Sequence, residues 1–353
     1  MRKINKRHAL ASLALVSVGG LLIGCSAPGG STDPLVIGSW GGDFDNISRE
    51  HVVPAFNDAL GDSAKEVVFD STSIETRLTK VIAQIDSEAG DYDVLLLADF
   101  EVPRLIAEGA LEKLDYSKMS RAEHLNPVLK NDYCMPQMYS ALALTYNTDR
   151  TQNPPTHWAD LWSDEYENRV GVYSNMSSYF FWLAAAAAAD GDPGSDIAQG
   201  YPLIEQAGDY VRPFTSNEQL GQALISGEVT VGLSYISRTA QWNNAADGKL
   251  KAIIPAEGTI ASTFWACIPA NAKDKEQAYE FLNSFLLPEA QAAFAEGMGY
   301  APTVDNAPLD PALSARITLS ESDAARLLTP DLDALGAEFD AHIDMWNRLV
   351  VAG

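Results

Sequence analysis

Basic residues are scarce in this chain: 24 Lys and Arg stand against 48 Asp and Glu, a net charge of −24 over 353 residues. That imbalance excludes nucleic acid and anionic headgroups as natural partners, because both need a basic face. It does not describe a ligand, since an acidic surface with few lysines also suits salty surroundings. Cysteine and histidine are sparse too, at three and five, with no CxxC and no Cys/His cluster, so a metal site has no support. Neither a GxGxxG nor a P-loop occurs, and Gly41-Gly42 is only a glycine pair. Gly232-Leu233-Ser234-Tyr235-Ile236 lacks the closing glycine of a nucleophile elbow. Carboxylates are so numerous that a suitable acid/base pair would arise by chance. The reading is therefore of a protein that is not an enzyme, with no catalytic residue, metal or cofactor assigned.

Long apolar stretches are few: one runs to Ala189 and, with its alanines 184–189, reads as a well-packed helix, and another lies near the N-terminus. Arg2, Lys3, Lys6 and Arg7 precede the apolar stretch Ala9 to Leu22, which is short of the roughly 20 residues a bilayer span needs. Leu22-Ile23-Gly24-Cys25 resembles the lipobox of bacterial lipoproteins. That likeness implies a signal peptide over 1–24, cleavage before Cys25 and a lipid on its thiol, the chain's single expected tie to a membrane. Residues 25–33 read as a flexible Gly/Ser/Pro tether. Removing 1–24 takes four basic residues and no acidic one, leaving 20 against 48, or −28. Cys134 and Cys267 then remain in an oxidising compartment and are free to pair.

About 320 residues beyond the tether exceed one typical core and point to two domains. Leu35 to Trp40, Val67 to Phe69 and Tyr92 to Ala98 read as strands. Helical apolar spacing separates them, with Ile74, Leu78, Val81, Ile82 and Ile85 on one face. The near-continuous YDVLLLA is the pattern of a strand buried on both faces of a parallel sheet. An open α/β domain of this kind meets ligands at the carboxyl ends of its strands, here the loops beginning at Trp40 and at Ala98-Asp99-Phe100. Tyr139 to Tyr146 carries the chain into a second body with the same alternation: a strand at Arg169 to Tyr173, a helix running to Ala189, a helix from Asn217 to Ser226, and Val229 to Tyr235. Ile253 to Leu287 reads as the return between bodies. It places Ser262, Thr263, Phe264 and Trp265 where a cleft could lie, and a final helix is expected over Leu332 to Leu349.

YDVLLLADFEVPRLIAEGALEKLD, NDYCMPQMYSALALTYN, THWADLW, SGEVTVGLSY, FWACIPANAKDKEQAYEFLN and GMGYAPT follow in order along nearly the whole mature chain. Together they resemble the spermidine/putrescine-binding proteins of bacterial ABC importers. The resemblance implies a two-lobed type II periplasmic-binding fold with two crossover strands, a small-molecule ligand closed between lobes, and a permease with its ATPase as partners. It divides the chain into lobe 1 (34–138 and 264–310) and lobe 2 (139–263 and 311–353). It also sets Cys134 and Cys267 on neighbouring strands, where a disulfide is expected.

In that family carboxylates hold amines and aromatics sandwich the methylene chain. The resemblance assigns Trp40, Phe100 and Tyr235 to aromatic roles. Its acidic positions are altered: Asn175 and Ser178 stand for Asp and Glu, Phe264 for an Asp, and Arg238 for another Asp. A polyamine would lose paired carboxylates and meet a cation. Arg238 has the forked donors that suit a carboxylate or phosphonate. The expected ligand is therefore anionic or zwitterionic, with Asp43 or Asp99 left for any amine and Ser262 alongside. A true polyamine binder and a lipoprotein that signals to a membrane receptor are the alternatives.

Overall fold

The computed structural model describes residues 33–99, 101–173, 177–191, 193, 196–243, 245–328 and 339–352. The body from Asp33 onward is one compact unit. Eight strands run in the order β2-β1-β3-β9-β4-β7-β5-β6. The first three, β1 (Leu35–Gly38), β2 (Val67–Asp70) and β3 (Val94–Ala98), are parallel, with Leu35 opposite Val67 and Ile37 opposite Val94. β5 (Val170–Tyr173), β6 (Val211–Phe214) and β7 (Val231–Tyr235) form a second parallel group.

Two long antiparallel strands join the groups: β4 (Cys134–Asn147) and β9 (Thr259–Cys267). Through Ala141, β4 pairs with β9; from Leu142 it pairs with β7, and from Leu144 also with β8 (Leu250–Ile253). This change of neighbours within one strand makes β4 a crossover, and β9 is its return. The architecture is the two-lobed type II fold. β4 begins at Cys134, five residues before the stretch that reads as strand in the sequence, and the return contains two strands, β8 and β9, separated by a turn at Pro255–Gly258. Two short strands complete the sheet, β10 (Ala301–Pro302) on β4 and β11 (Leu327–Leu328) on β9.

Each strand group has its own core. Leu35, Ile37, Val94 and Leu96 meet Phe44, Phe56, Phe281 and Phe285, all within 1% of full burial. Phe281 and Phe285 come from the helix Lys275–Phe285, whose start Asp274 caps by accepting from the Gln277 amide. The second core gathers Trp158, Val170, Leu233 and Trp346 around the helix Ser177–Ala188. Its alanines let Gly200 approach so closely that a Cβ there would lie 2.4 Å from the Ala185 nitrogen, so the alanine run serves packing. The expected final helix is described as Phe339–Trp346, and its earlier part lies outside the described residues. Among the described residues no helix is long and apolar enough to cross a membrane.

Cys134 and Cys267 face each other in register on β4 and β9, fully buried, and are joined by a disulfide.

Candidate functional site

β1 leaves the sheet at Gly38 and turns through Ser39-Trp40-Gly41-Gly42. Gly41 and Gly42 have φ of 77° and 58°, a region glycine enters without strain. The turn holds Trp40 half-buried, its ring edge-on to Phe44 at 5.0 Å and to Phe264 at 5.1 Å. Phe264 in turn packs edge-on against Tyr300 at 4.9 Å. Phe264 therefore continues an aromatic row.

Beneath these loops lies Arg77, 2% exposed, which donates from Nη1 to the Ser39 carbonyl and, at 2.8 Å, to the Thr72 carbonyl. Burial pushes its guanidinium down, with Glu101 pulling the other way. Glu101 also accepts the Ala98 amide at 2.7 Å. One buried network thus ties the turn that carries Trp40 to the turn that carries Asp99.

Asp99 sits just past the end of β3, 9% exposed. It accepts from Trp265 Nε1 at 2.7 Å and from the Thr263 amide at 2.8 Å. Burial raises its carboxyl to about 7, against the pull of hydrogen bonds from Trp265, Thr263 and Ser262.

From the second strand group come Tyr173, the last residue of β5; Tyr179, in the first turn of the helix Ser177–Ala188; and Tyr235, the last residue of β7. Burial raises all three hydroxyls, so they are neutral donors and acceptors at any physiological pH. Tyr179 feels Asp99, Ser262, Tyr173 and Tyr235; Tyr235 feels Tyr179, Tyr173, Ser262 and Tyr300. Tyr173 feels Tyr300, Arg238 and Glu218. Arg238, on the helix Ile236–Asn243, is half-buried and donates from Nη1 to the neutral Gln241 Oε1 at 2.8 Å. No carboxylate pairs with it among the described residues.

The structure thus brings together Asp99, Ser262, Tyr235 and Arg238, with Trp40 and Phe264 in the adjoining aromatic row. Asp43 stands apart, exposed in the first turn of the helix Gly42–Ile47. Phe100 and Asn175 lie outside the described residues; Ser178 falls in the first turn of Ser177–Ala188. Cys25 is likewise outside them. Sequence reasoning missed Tyr173, Tyr179, Tyr300 and Arg77. The family resemblance assigns Tyr235; its place at the carboxyl end of a strand is shared by Tyr173, so that position is a signal that could have found Tyr173. Tyr300 lay in GMGYAPT, a stretch already singled out.

A separate groove of about 540 Å³, lined by His124, Tyr139, Thr303, Asp305, Ser314 and Thr318 among others, shares no residue with this cluster. Its His124–Asp305 pair, 3.0 Å apart, is exposed to solvent, where pairing adds little. No group of His, Cys, Asp and Glu that could hold a metal occurs among the described residues. The cluster, with a buried carboxylate after β3 of the first strand group and a guanidinium and three tyrosine hydroxyls from the second, is the candidate binding site.

Residues 52–320 match the family model of bacterial extracellular solute-binding proteins. The chain is 30% identical over 339 residues to the spermidine/putrescine-binding periplasmic protein of Salmonella typhimurium, covering 91% of this chain and 90% of that one. Among solved structures, an ABC transporter protein from Clostridium perfringens superposes with a TM-score of 0.76 at 22% identity, over 90% of this chain and 99% of that one. The Atu4243-GABA receptor does so with a TM-score of 0.73 at 20% identity, over 89% and 96%. Fold, sequence match and a ligand-type cluster between two strand groups agree: the chain belongs to the bacterial extracellular solute-binding proteins, which are transport components and not enzymes.

Proposed function

We propose that this protein is the lipid-anchored substrate-binding subunit of a polyamine-type ABC importer. The solute it captures carries an anionic group, and a zwitterion fits best. The observation that carries the reading is the placement of charge around the tyrosines: Asp99 acts on Tyr179, whereas Arg238, and behind it the exposed Glu218, act on Tyr173. A carboxylate and a guanidinium thus serve different members of one neutral cluster. A solute with an amine toward Asp99 and a carboxylate toward Arg238 would satisfy both, and the forked guanidinium is free of a competing protein carboxylate among the described residues. A polyamine would find one buried carboxylate and one like charge, which costs several kcal/mol of affinity relative to a site with paired anions.

In this reading Trp40, Tyr235 and Phe264 shape the apolar wall and Ser262 supplies a hydroxyl, and the family resemblance adds Phe100, Asn175 and Ser178 to the ligand-binding residues. Lobe 1 comprises 34–138 and 264–310, lobe 2 comprises 139–263 and 311–353, and the solute stabilises the closed arrangement that docks on the permease. Cys25 bears the lipid. The relatives named for spermidine and putrescine favour a second reading, a polyamine binder, and a thermal-shift assay separates the two. Soluble protein from residue 34 onward is melted with 1 mM spermidine, putrescine, 4-aminobutyrate or succinate. A ligand with a Kd near 10 μM adds about 2.7 kcal/mol, hence a rise of roughly 4 °C in Tm. That rise is expected with 4-aminobutyrate; finding it with spermidine would discard the anion-bearing solute.

A further inference from the structure

Asp99 is a buried carboxylate without a counter-ion among the described residues. Both its oxygens meet neutral donors, Trp265 Nε1 and the Thr263 amide, with Ser262 beside them. The titratable group facing it from the helix Ser177–Ala188 is Tyr179, behind which stand Tyr235 of β7 and Tyr173 of β5, all kept neutral by burial. On its own side Glu101 is turned to the Ala98 amide and to the field of Arg77. No lysine, arginine or histidine forms an ion pair with Asp99 among the described residues. A carboxyl group so placed either keeps a proton or takes a cation from outside, because an unpaired buried charge is strongly disfavoured.

We propose that Asp99 is the receptor for the solute's ammonium group and that it exchanges its proton for that group on binding. The exchange is Asp–COOH plus R–NH3+ giving Asp–COO− in contact with R–NH3+ and one proton released to solvent; no bond to the solute forms. This rests on the reading of the cluster as the solute site and deepens it. Transport substrates must then present an ammonium that carries an N–H, since a quaternary amine has none to give the carboxylate. The position of the carboxyl near neutrality sets the window: below about pH 7, amine affinity falls tenfold per pH unit, and above it affinity is flat.

Two experiments test this. In the ligand-free protein labelled with 13C at aspartate carboxyls, one resonance should titrate near neutrality and vanish in Asp99→Asn. The Thr263 amide and Trp265 indole signals should follow the same curve in the wild-type chain, which keeps the assignment even if the variant does not fold. Calorimetry at pH 6 in two buffers of different ionisation enthalpy, with putrescine, 4-aminobutyrate and succinate as probes, should show about 0.9 proton released per amine bound and, for succinate, only the fraction of a proton its own second carboxyl carries at that pH. An Asp99 carboxyl that titrates below pH 5, or amine binding without proton release, overturns the exchange and leaves the solute site intact. Binding of succinate alone overturns the receptor role but keeps an anion-bearing solute. Binding of none of the three overturns both the exchange and the charge assignment beneath it.

Discussion

Reducing the Cys134–Cys267 disulfide should weaken the fold without touching the candidate site. The bond closes a sequence separation of 133 residues. On the loop-entropy relation a loop of that size removes about 17 cal/mol/K from the unfolded chain, or about 5 kcal/mol at 25 °C. Enthalpic effects bring the expected loss to between about 2 and 5 kcal/mol. For a body of about 320 residues the unfolding entropy is roughly 0.7 kcal/mol/K, so Tm should fall by about 3 to 7 °C. Both half-cystines are fully buried, one pair within the β4–β9 ladder, and β4 changes neighbours only after Ala141. The staple therefore holds one end of the crossover pair and leaves its switching segment alone. The assay compares calorimetric melts of oxidised protein with those of protein reduced under denaturant and refolded in reductant, alongside ligand titrations of both. An unchanged Tm would refute the entropic argument, and a loss of ligand affinity on reduction would refute the separation of staple from site.

Two substitutions probe the loop after β1. Trp40→Ala removes edge-on contacts with Phe44 and Phe264 and part of a wall; a loss of about 2 to 3 kcal/mol in urea unfolding and at least a tenfold rise in ligand Kd are expected, and an unchanged Kd would assign Trp40 to packing alone. Gly41→Ala forces φ of 77° on a residue whose Cβ would sit 3.0 Å from Ser71 Cβ, so about 1 to 2 kcal/mol should be lost; a gain in urea midpoint would show that the turn relaxes freely.

Much of the architecture was legible because it follows from local pattern. The run at Val94–Ala98 is apolar on every residue because both faces are covered. The helix Asn217–Ser226 carries its own boundaries, Ser216 capping the start and Gly227 at φ 79° ending it. Less visible was β8, four residues of which only Leu250 is deeply buried, so no clear alternation marks it. Within the candidate site, Asp99 and Ser262 stood out by chain position, and Tyr235 and Arg238 through the family resemblance. Tyr179 did not, because it follows a helix start and its meeting with Asp99 depends on how two strand groups face each other. Phe264 stood out as a missing carboxylate; its place between Trp40 and Tyr300 is a tertiary fact that spacing does not carry. Arg77 reads in sequence as a solvent-facing residue of an amphipathic helix, yet it is buried, because the carbonyls of Ser39 and Thr72 need a donor there.

The central claim is that the solute spans an anion-binding and a cation-binding end, and a length-matched charge series measures this most directly. Putrescine, 4-aminobutyrate and succinate share a four-carbon chain and differ in which ends are ammonium and which carboxylate. Titrated calorimetrically at pH 8 into soluble wild-type protein and into Arg238→Gln, 4-aminobutyrate should bind tightest to the wild type. The variant should weaken 4-aminobutyrate and succinate by roughly ten- to a hundredfold, about 1.4 to 2.8 kcal/mol, and leave putrescine unchanged or tighter. Putrescine binding tightest to the wild type, with Arg238→Gln indifferent to all three, would contradict the account.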